Sequence, residues 1–396
     1  MTAVVHGSVS DPAIFQRVGV IGGGQLAWMM AKAAEDLNIE LSVQTPNQTD
    51  PAIANFSHPA GHPVFAAVDD AEATGQLAQH CQVITFENEF VDLQALGQLA
   101  DQGICFRPPL NALQPLLDKY EQRDYLKNLG IPVPAFTAIQ PDSDVSALDF
   151  PLVVKSRRHG YDGQGTFILQ NALQLQAFWA DLPEPPNPEA FMAEAFIPFE
   201  RELAVIAARS VTGEVVLYPV VETYQHDQVC HWAMAPVALA PETQQQVEDI
   251  ATLLLNSLQV VGLFGIELFL TTDGHVLVNE IAPRTHNSGH LTLDACATSQ
   301  FEQHLRAVCG FPLGDTSLKV PGAIMVNLLG YEIAEYDYGQ KRQTLATFPN
   351  TFVHWYGKAK AHPGRKLGHV TALLETPDRQ EALKVARRLA NTWYRQ

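Results

Sequence analysis

The sequence predicts an α/β protein that opens with a parallel βαβ domain and continues through strand-rich domains. Three stretches carry that expectation. The first is Arg17–Gly22 (RVGVIG), a short apolar strand that Gly22-Gly23-Gly24 turns into a helix from about Gln25 to Leu37, with a second strand at Glu40–Thr45. The second is Phe150–Leu169 (FPLVVKSRRHGYDGQGTFIL), two short strands joined by a basic, glycine-rich connection. The third is Val261–His290 (VGLFGIELFLTTDGHVLVNEIAPRTHNSGH), an apolar hairpin with a turn at Asp273-Gly274 and carboxylates set into both strands.

The 396 residues are enough for two or three domains with a large core, and 46 % apolar against 17 % charged residues is a globular balance rather than a disordered one. A formal net charge of −18 argues against non-specific nucleic-acid binding, because the chain would repel a phosphate backbone. An anionic substrate would therefore need locally gathered positive charge, for which Arg157, Arg158 and the Lys358–Lys366 cluster are candidates. Five scattered cysteines with no C-x-x-C fit a reducing cytoplasm and give no structural zinc pattern. No apolar run reaches the length of a membrane span. Residues 1–16 lack a basic start and an apolar core, and read as a loose extension.

In the first domain, Gly22, Gly24 and Ala27 fit the spacing of a dinucleotide turn, but Thr45-Pro46 stands where an acidic ribose ligand is expected. An anion site at the helix N-terminus fits the turn better than nicotinamide. Strands follow at Val64–Ala66 and Val83–Phe86, with a helix from Asp70 to His80 between them. Glu87 and Glu89 come next, at the sheet edge where open α/β sheets bind ligands, although Glu89 reads as a solvated turn. A helix over Gln94–Gly103 and a polar helical run over Leu110–Gly130 complete this part, with a boundary near Arg107–Asp118.

In the second stretch Lys155 ends a strand and aims an ammonium at whatever the loop covers. Gly160, Gly163 and Gly165 let main-chain N–H groups approach phosphate oxygens. The proline-rich loop LPEPPNPE is followed by strands at Phe191–Phe196, Leu203–Ala208 and Val215–Val221, and a helix runs from Pro241 to Leu258 with Val247, Ile250, Leu254 and Leu258 on one face. In the third stretch, Glu267 and Glu280 interrupt facing apolar strands, and two buried carboxylates need a counter-charge. A hard divalent cation with Asn279 as a third oxygen ligand answers that need. Arg284, His286, Asn287 and His290 follow on a polar, irregular segment. The last 76 residues, from Pro321 on, show strands near Ala323–Leu328, His354–Tyr356 and Gly368–Leu373, a helix from Asp378 to Tyr394, and a loop gathering Lys358, Lys360, Arg365 and Lys366 that fits one phosphate.

A strand-end lysine before GYDGQGT, paired glutamates, and the segments GGGQLA, NEIAPRTHNSGH and YGKAKAHPGRKLGH together resemble the ATP-grasp superfamily. Within it they are similar to the 5-(carboxyamino)imidazole ribonucleotide synthase family, from about Arg17 to the C-terminus. The resemblance implies an ATP-grasp architecture: a pre-ATP-grasp domain at 17–117, a lid subdomain and linker at 118–220, a catalytic subdomain at 221–320 and a small α+β module at 321–396. It implies ATP-dependent carboxylation of aminoimidazole ribonucleotide by bicarbonate through carboxyphosphate, in a cytoplasmic homodimer using Mg2+ (or Mn2+). By the same resemblance ATP is held by Arg107, Lys155, Gly160, Tyr161, Asp162, Gly163, Gln164, Gly165, Thr166, the linker Glu194, Ala195, Phe196 and Ile197, Glu202, Gln225, Asn279 and Glu280. Glu267, Glu280 and Asn279 hold the metal, and Arg284, His286 and Asn287 surround bicarbonate. Lys358 and Arg365 take the ribonucleotide phosphate with Gly24 and Gln25, while Tyr161 and Asp162 meet the aminoimidazole. Two departures stand out: Gln225, followed by His226, replaces a frequent histidine, and Ala27 replaces a frequent glycine. The rival readings are another ATP-grasp carboxylate–amine ligase or transformylase, a nicotinamide oxidoreductase built on GGGQLA, and a nucleotide-binding module without turnover.

Overall fold

The computed structural model describes residues 13–54, 61–141, 143, 145–158, 160, 165–182 and 190–394. Tyr161, Asp162, Gly163 and Gln164, and most of the LPEPPNPE loop, lie outside them. A parallel four-stranded sheet comes first, from β1 (Arg17–Ile21), β2 (Glu40–Thr45), β3 (Val64–Phe65) and β4 (Val83–Phe86), in the order β3-β2-β1-β4. Its apolar strands pack on the Gln25–Asp36 helix, whose buried face carries Leu26, Ala27, Met29, Met30 and Ala33. Within the stretch expected as a loose extension, the Phe15 N–H donates to the Cys309 carbonyl at 2.9 Å, which ties residue 15 to the core; residues 1–12 lie outside the described residues.

The helix expected over Leu110–Gly130 is broken. Pro115 cannot donate to the ladder, so a short helix (Leu110–Leu113) passes through one 3-10 turn (Gln114–Leu116). Asp118 then caps a new helix, Lys119–Asn128, by accepting from the Tyr120 and Glu121 N–H groups. Beyond it, β5 (Phe136–Ala138), β6 (Leu152–Ser156), β7 (Thr166–Leu169) and β8 (Phe191–Ala195) make an antiparallel sheet ordered β5-β8-β6-β7. Lys155 thus lies inside β6 rather than at its end.

The remaining strands form one nine-stranded sheet. They are β9 (Phe199–Arg209), β10 (Val215–Leu217), β11 (Val221–His226), β12 (Val229–Ala235), β13 (Gly262–Thr271), β14 (Val276–Ala282), β15 (Gly322–Leu329), β16 (Thr351–Trp355) and β17 (Lys366–Leu374). Their order is β14-β13-β9-β11-β12-β15-β17-β16, with β10 paired to β9. The single strand expected at Val215–Val221 is interrupted around Pro219, which lacks the N–H a ladder needs. The C-terminal residues have no separate sheet: β15 pairs antiparallel with β12, from Trp232↔Val326 to Ala235↔Ala323. The Arg379–Tyr394 helix closes this end through Trp393, which is fully buried and donates its indole N–H to the Leu329 carbonyl at 2.8 Å.

Histidines join the layers. His304 Nε2 lies 2.8 Å from Thr85 Oγ1, linking the Gln300–Cys309 helix to β4. His369 on β17 stacks against His354 at 4.5 Å and lies 4.9 Å from His290, with Tyr356 Oη 2.8 Å from His369 Nδ1. Burial lowers the pKa of His304 from 6.5 to about 4 and those of His290 and His369 well below 6.5. All three are neutral in the fold but protonate in the unfolded chain near 6.5, so stability is complete above that pH and declines as pH falls through it. His304, at about 4, should remove about 2 kcal/mol by pH 5, at about 1.4 kcal/mol per pH unit, and His290 and His369 act in the same direction. Urea midpoints measured from pH 8 to 5 should fall steeply below 6.5, and His304→Gln should flatten the slope by one proton. An unchanged slope in that variant would contradict the assignment.

Candidate active site

The antiparallel pairing of β13 with β14 sets Glu267 directly opposite Glu280, one step from the apolar pair Ile266↔Ile281. Directly opposed residues share a face of a sheet, so the two carboxylates meet. Burial, and then the Glu280 charge, push Glu267 up to about 7. Burial also raises Glu280, but the Lys119 ammonium at 2.5 Å more than offsets it and holds that carboxyl below its ordinary range. Glu280 keeps 42 % of its side-chain surface open, so the pair is accessible from solvent. Asn279 completes the group by donating its Nδ2 to Glu267 Oε2 at 3.3 Å.

A second layer fixes the cations. Lys155 Nζ lies 2.7 Å from Glu194 Oε2 and donates to Asn279 Oδ1 at 3.2 Å. Arg123 Nε donates to Glu194 Oε1 at 2.6 Å, and its guanidinium also donates to the Asn279 carbonyl. Although burial works against ionisation, Arg123 and Lys155 bring Glu194 down to about 2. The side chain of Glu194 is therefore a buried bridge between Arg123 and Lys155. Ala195 is held by its N–H to the Ala135 carbonyl, Phe196 is exposed beyond the strand end, and the Ile197 carbonyl accepts from the Phe199 N–H. Lys119 and Arg123 were missed in the sequence, although basic residues four apart behind an N-cap aspartate lie on one helix face.

Glu202 on β9 pairs with Phe269 on β13 and Thr223 on β11, and accepts the main-chain N–H of Gln225 at the β11 bulge. Burial raises its carboxyl to about 7. His226 is 62 % exposed beside Asp227, whereas the Gln225 main chain meets Glu202. In the β6–β7 loop, Gly165 at φ +80° accepts from the Ser156 N–H at 2.7 Å, and a Cβ there would lie 2.6 Å from Ser156 Oγ. Gly160 lies beside Gly165, and Thr166 pairs with Lys155.

Four residues beyond Glu280, Arg284 forms a bidentate pair with Glu89, at 2.7 and 3.2 Å. The solvated turn expected for Glu89 is corrected by that pair, because a carboxylate this close to a guanidinium is held by it. His286 Nε2 lies 3.4 Å from Glu267 Oε1, and its Nδ1 is 2.9 Å from Ser288 Oγ. Gly265 makes this approach possible, since a Cβ on it would collide with the His286 side chain. Asn287 is engaged elsewhere: its amide exchanges two hydrogen bonds, 3.0 and 2.7 Å, with the buried Asn327 on β15. The Gly22–Gly24 turn packs on Glu87, raised by burial, which accepts from the Leu26 N–H at 3.4 Å; neither Gly22 nor Gly24 has room for a Cβ beside that carboxylate. Gln25 begins the helix there. Lys358, over the Tyr356 ring, acts electrostatically on Glu87, and Lys366 acts on Glu267. Arg365 donates to the Lys360 carbonyl at 2.5 Å. Arg107 is not brought to the carboxylates: its guanidinium donates to the Val308 carbonyl at 2.6 Å and covers Phe15.

Two carboxylates and an amide oxygen suit a hard divalent cation. Among the described residues no cluster of three or more His, Cys, Asp or Glu could hold a metal alone, so such an ion would take its other ligands from phosphate oxygens. No helix among them is long and apolar enough to cross a membrane.

Family models match the chain in three consecutive parts: a ribonucleotide synthetase preATP-grasp domain over 15–115, an ATP-grasp domain over 124–301 and a phosphoribosylaminoimidazole carboxylase C-terminal domain over 323–383. The N5-carboxyaminoimidazole ribonucleotide synthase of Synechocystis sp. is 53 % identical over 364 residues, covering 90 % of this chain and 91 % of its own. The Synechococcus elongatus protein of that name is 53 % identical over 360 residues, covering 90 % and 89 %. This chain belongs to the N5-carboxyaminoimidazole ribonucleotide synthase family. The Aspergillus clavatus synthase solved with ATP superposes at a TM-score of 0.87, with 33 % identity over 96 % of this chain and 98 % of that one. A second structure of the synthase from that organism, with ADP and 5-aminoimidazole ribonucleotide, gives 0.86 at 32 % identity, covering 96 % and 99 %. The ATP-grasp expectation therefore holds, and the oxidoreductase reading falls with it.

The bridge through Glu194 is the most buried charge cluster here. Glu194→Gln leaves the Arg123 and Lys155 charges without their anion and should cost about 3–5 kcal/mol in urea unfolding. A loss below about 1 kcal/mol would show that the cluster is not held together by charge.

Proposed function

We infer that the family reaction runs on the side chains assembled above. The reaction is the ATP-dependent carboxylation of 5-aminoimidazole ribonucleotide by bicarbonate, giving N5-carboxyaminoimidazole ribonucleotide, ADP and phosphate. The observation that carries the assignment of roles is the Glu267↔Glu280 pair, flanked by Lys155 on one side and by Arg284 and His286 on the other.

Glu202 and the Glu194–Ile197 segment line the nucleoside end, with the Gln225 main chain beside Glu202. Lys155, held in place by Glu194, directs its charge at the ATP phosphates. Glu267, Glu280 and the Asn279 oxygen would hold Mg2+, which supplies neutralisation of phosphate charge as the γ-phosphoryl departs. Arg284, fixed by Glu89, and His286, fixed by Ser288, gather bicarbonate against that phosphoryl group. A bicarbonate oxygen forms the new bond to phosphorus as the bond to ADP breaks. The substrate amine then attacks the carboxyl carbon of carboxyphosphate, phosphate leaves, and the nitrogen loses a proton. Lys358 and Arg365, with the Gly24–Gln25 turn, take the ribonucleotide phosphate. Asn287 supports the segment through Asn327 rather than touching bicarbonate, and Arg107 steadies the first domain. No disulfide joins the five cysteines, which fits a cytoplasmic enzyme, and the family resemblance supports a homodimer.

With labelled bicarbonate, ATP and aminoimidazole ribonucleotide, label should enter the ribonucleotide carbamate with one ADP released per label. Glu280→Gln should lower that rate by at least about 100-fold, the scale of a lost electrostatic contact at the reacting phosphate, with an unchanged far-UV spectrum. Activity within about twofold of the parent enzyme would remove Glu280 from the role given to it.

A further inference from the structure

Gln300 stands at the first position of the Gln300–Cys309 helix and is fully buried behind the Arg284–His290 segment. Its side-chain oxygen accepts the His286 N–H at 2.9 Å, and its Nε2 donates to the His286 carbonyl at 2.8 Å. One amide thus grips both main-chain polar groups of a single residue, as a neighbouring strand would. The same Nε2 lies 3.1 Å from His290 Nδ1. The Gln300 main chain is fixed in turn, because its N–H donates to Thr292 Oγ1 at 2.9 Å and that hydroxyl donates to the Gly289 carbonyl at 2.6 Å. Gly289 is packed so closely that a Cβ there would lie 2.7 Å from Gln300 Oε1.

We propose that Gln300 is the positioning residue for His286, setting the height and direction of its imidazole over Glu267 although it touches no substrate itself. The imidazole reaches Glu267 Oε1 at 3.4 Å from one side of the His286 backbone, while Gln300 holds the other side. Both main-chain hydrogen bonds are buried, and a buried polar group that loses its partner must find another by moving. Without Gln300 the main chain at 286 rotates or shifts to recover those bonds, and the ring moves with it. A shift of about 1 Å is enough to change a reacting geometry by about 100-fold. The inference rests on the placement of His286 at bicarbonate given above.

Gln300→Met conserves volume and removes all the side-chain hydrogen bonds at once. With folding confirmed by circular dichroism and thermal midpoint, the variant should raise the KM for bicarbonate about tenfold and lower kcat. The KM for ATP should stay within about twofold. More ADP should also be released per carbamate formed, because misplaced carboxyphosphate is lost to water. A helix-packing role alone would lower stability without moving the bicarbonate KM or the coupling ratio. His286→Ala and the double variant complete a cycle, in which Gln300→Met should add little once His286 is gone. An equal effect of Gln300→Met in both backgrounds, or unchanged coupling in the single variant while His286→Ala is impaired, would overturn the inference alone. A silent His286→Ala would overturn the placement of His286 itself, and the inference with it.

Discussion

Two carboxylates facing each other across neighbouring strands are the constraint around which this molecule is built. Left alone, Glu267 and Glu280 would repel each other and resist burial, and the rise of Glu267 to about 7 records that cost. Their surroundings keep the arrangement tolerable. Lys119 sits directly on Glu280, and Lys155 and Arg123 stand one layer behind, anchored by the buried Glu194. The result is a compact field of alternating charge with an open face. A metal–nucleotide complex fits such a field because it brings both a cation for the carboxylates and phosphate oxygens for the lysines.

The folding of the chain serves this field from three directions. The Lys119–Asn128 helix carries two of the cations, β6 and β8 carry Lys155 and Glu194, and the β13–β14 hairpin carries the carboxylates and Asn279. The first domain reaches in from the side, where Glu89 takes hold of Arg284 and Glu87 packs on the glycine turn. The C-terminal strands join by extending the same sheet through β12 and β15. That continuity places Lys358 and Lys366 near carboxylates of the first domain and the hairpin, as their electrostatic effects on Glu87 and Glu267 show.

What was legible in the sequence was the chemistry written in local patterns. The glycine turn after RVGVIG, the lysine before a glycine loop and the glutamates breaking apolar strands each violate a simple periodicity, and such violations mark sites. The polar helical run after Leu110 hid its break because Pro115 and Asp118 act only together, one ending a helix and the other starting the next. Glu89 looked like any solvated acidic turn, since its partner lies 195 residues away. Asn287 looked free for a ligand for the same reason, its amide being taken up by Asn327. The joining of β12 to β15 was also unreadable, as pairing between strands distant in sequence leaves no local trace.

The pair at Glu267 and Glu280 is most directly tested by crystallising the protein with Mn2+ and a non-hydrolysable ATP analogue and locating the metal by anomalous scattering. The account predicts a peak within about 2.0–2.6 Å of oxygens from both carboxylates and from the analogue's phosphates, with Lys119 drawn off Glu280. A metal bound away from both glutamates, with the Lys119–Glu280 contact intact beneath the nucleotide, would contradict it.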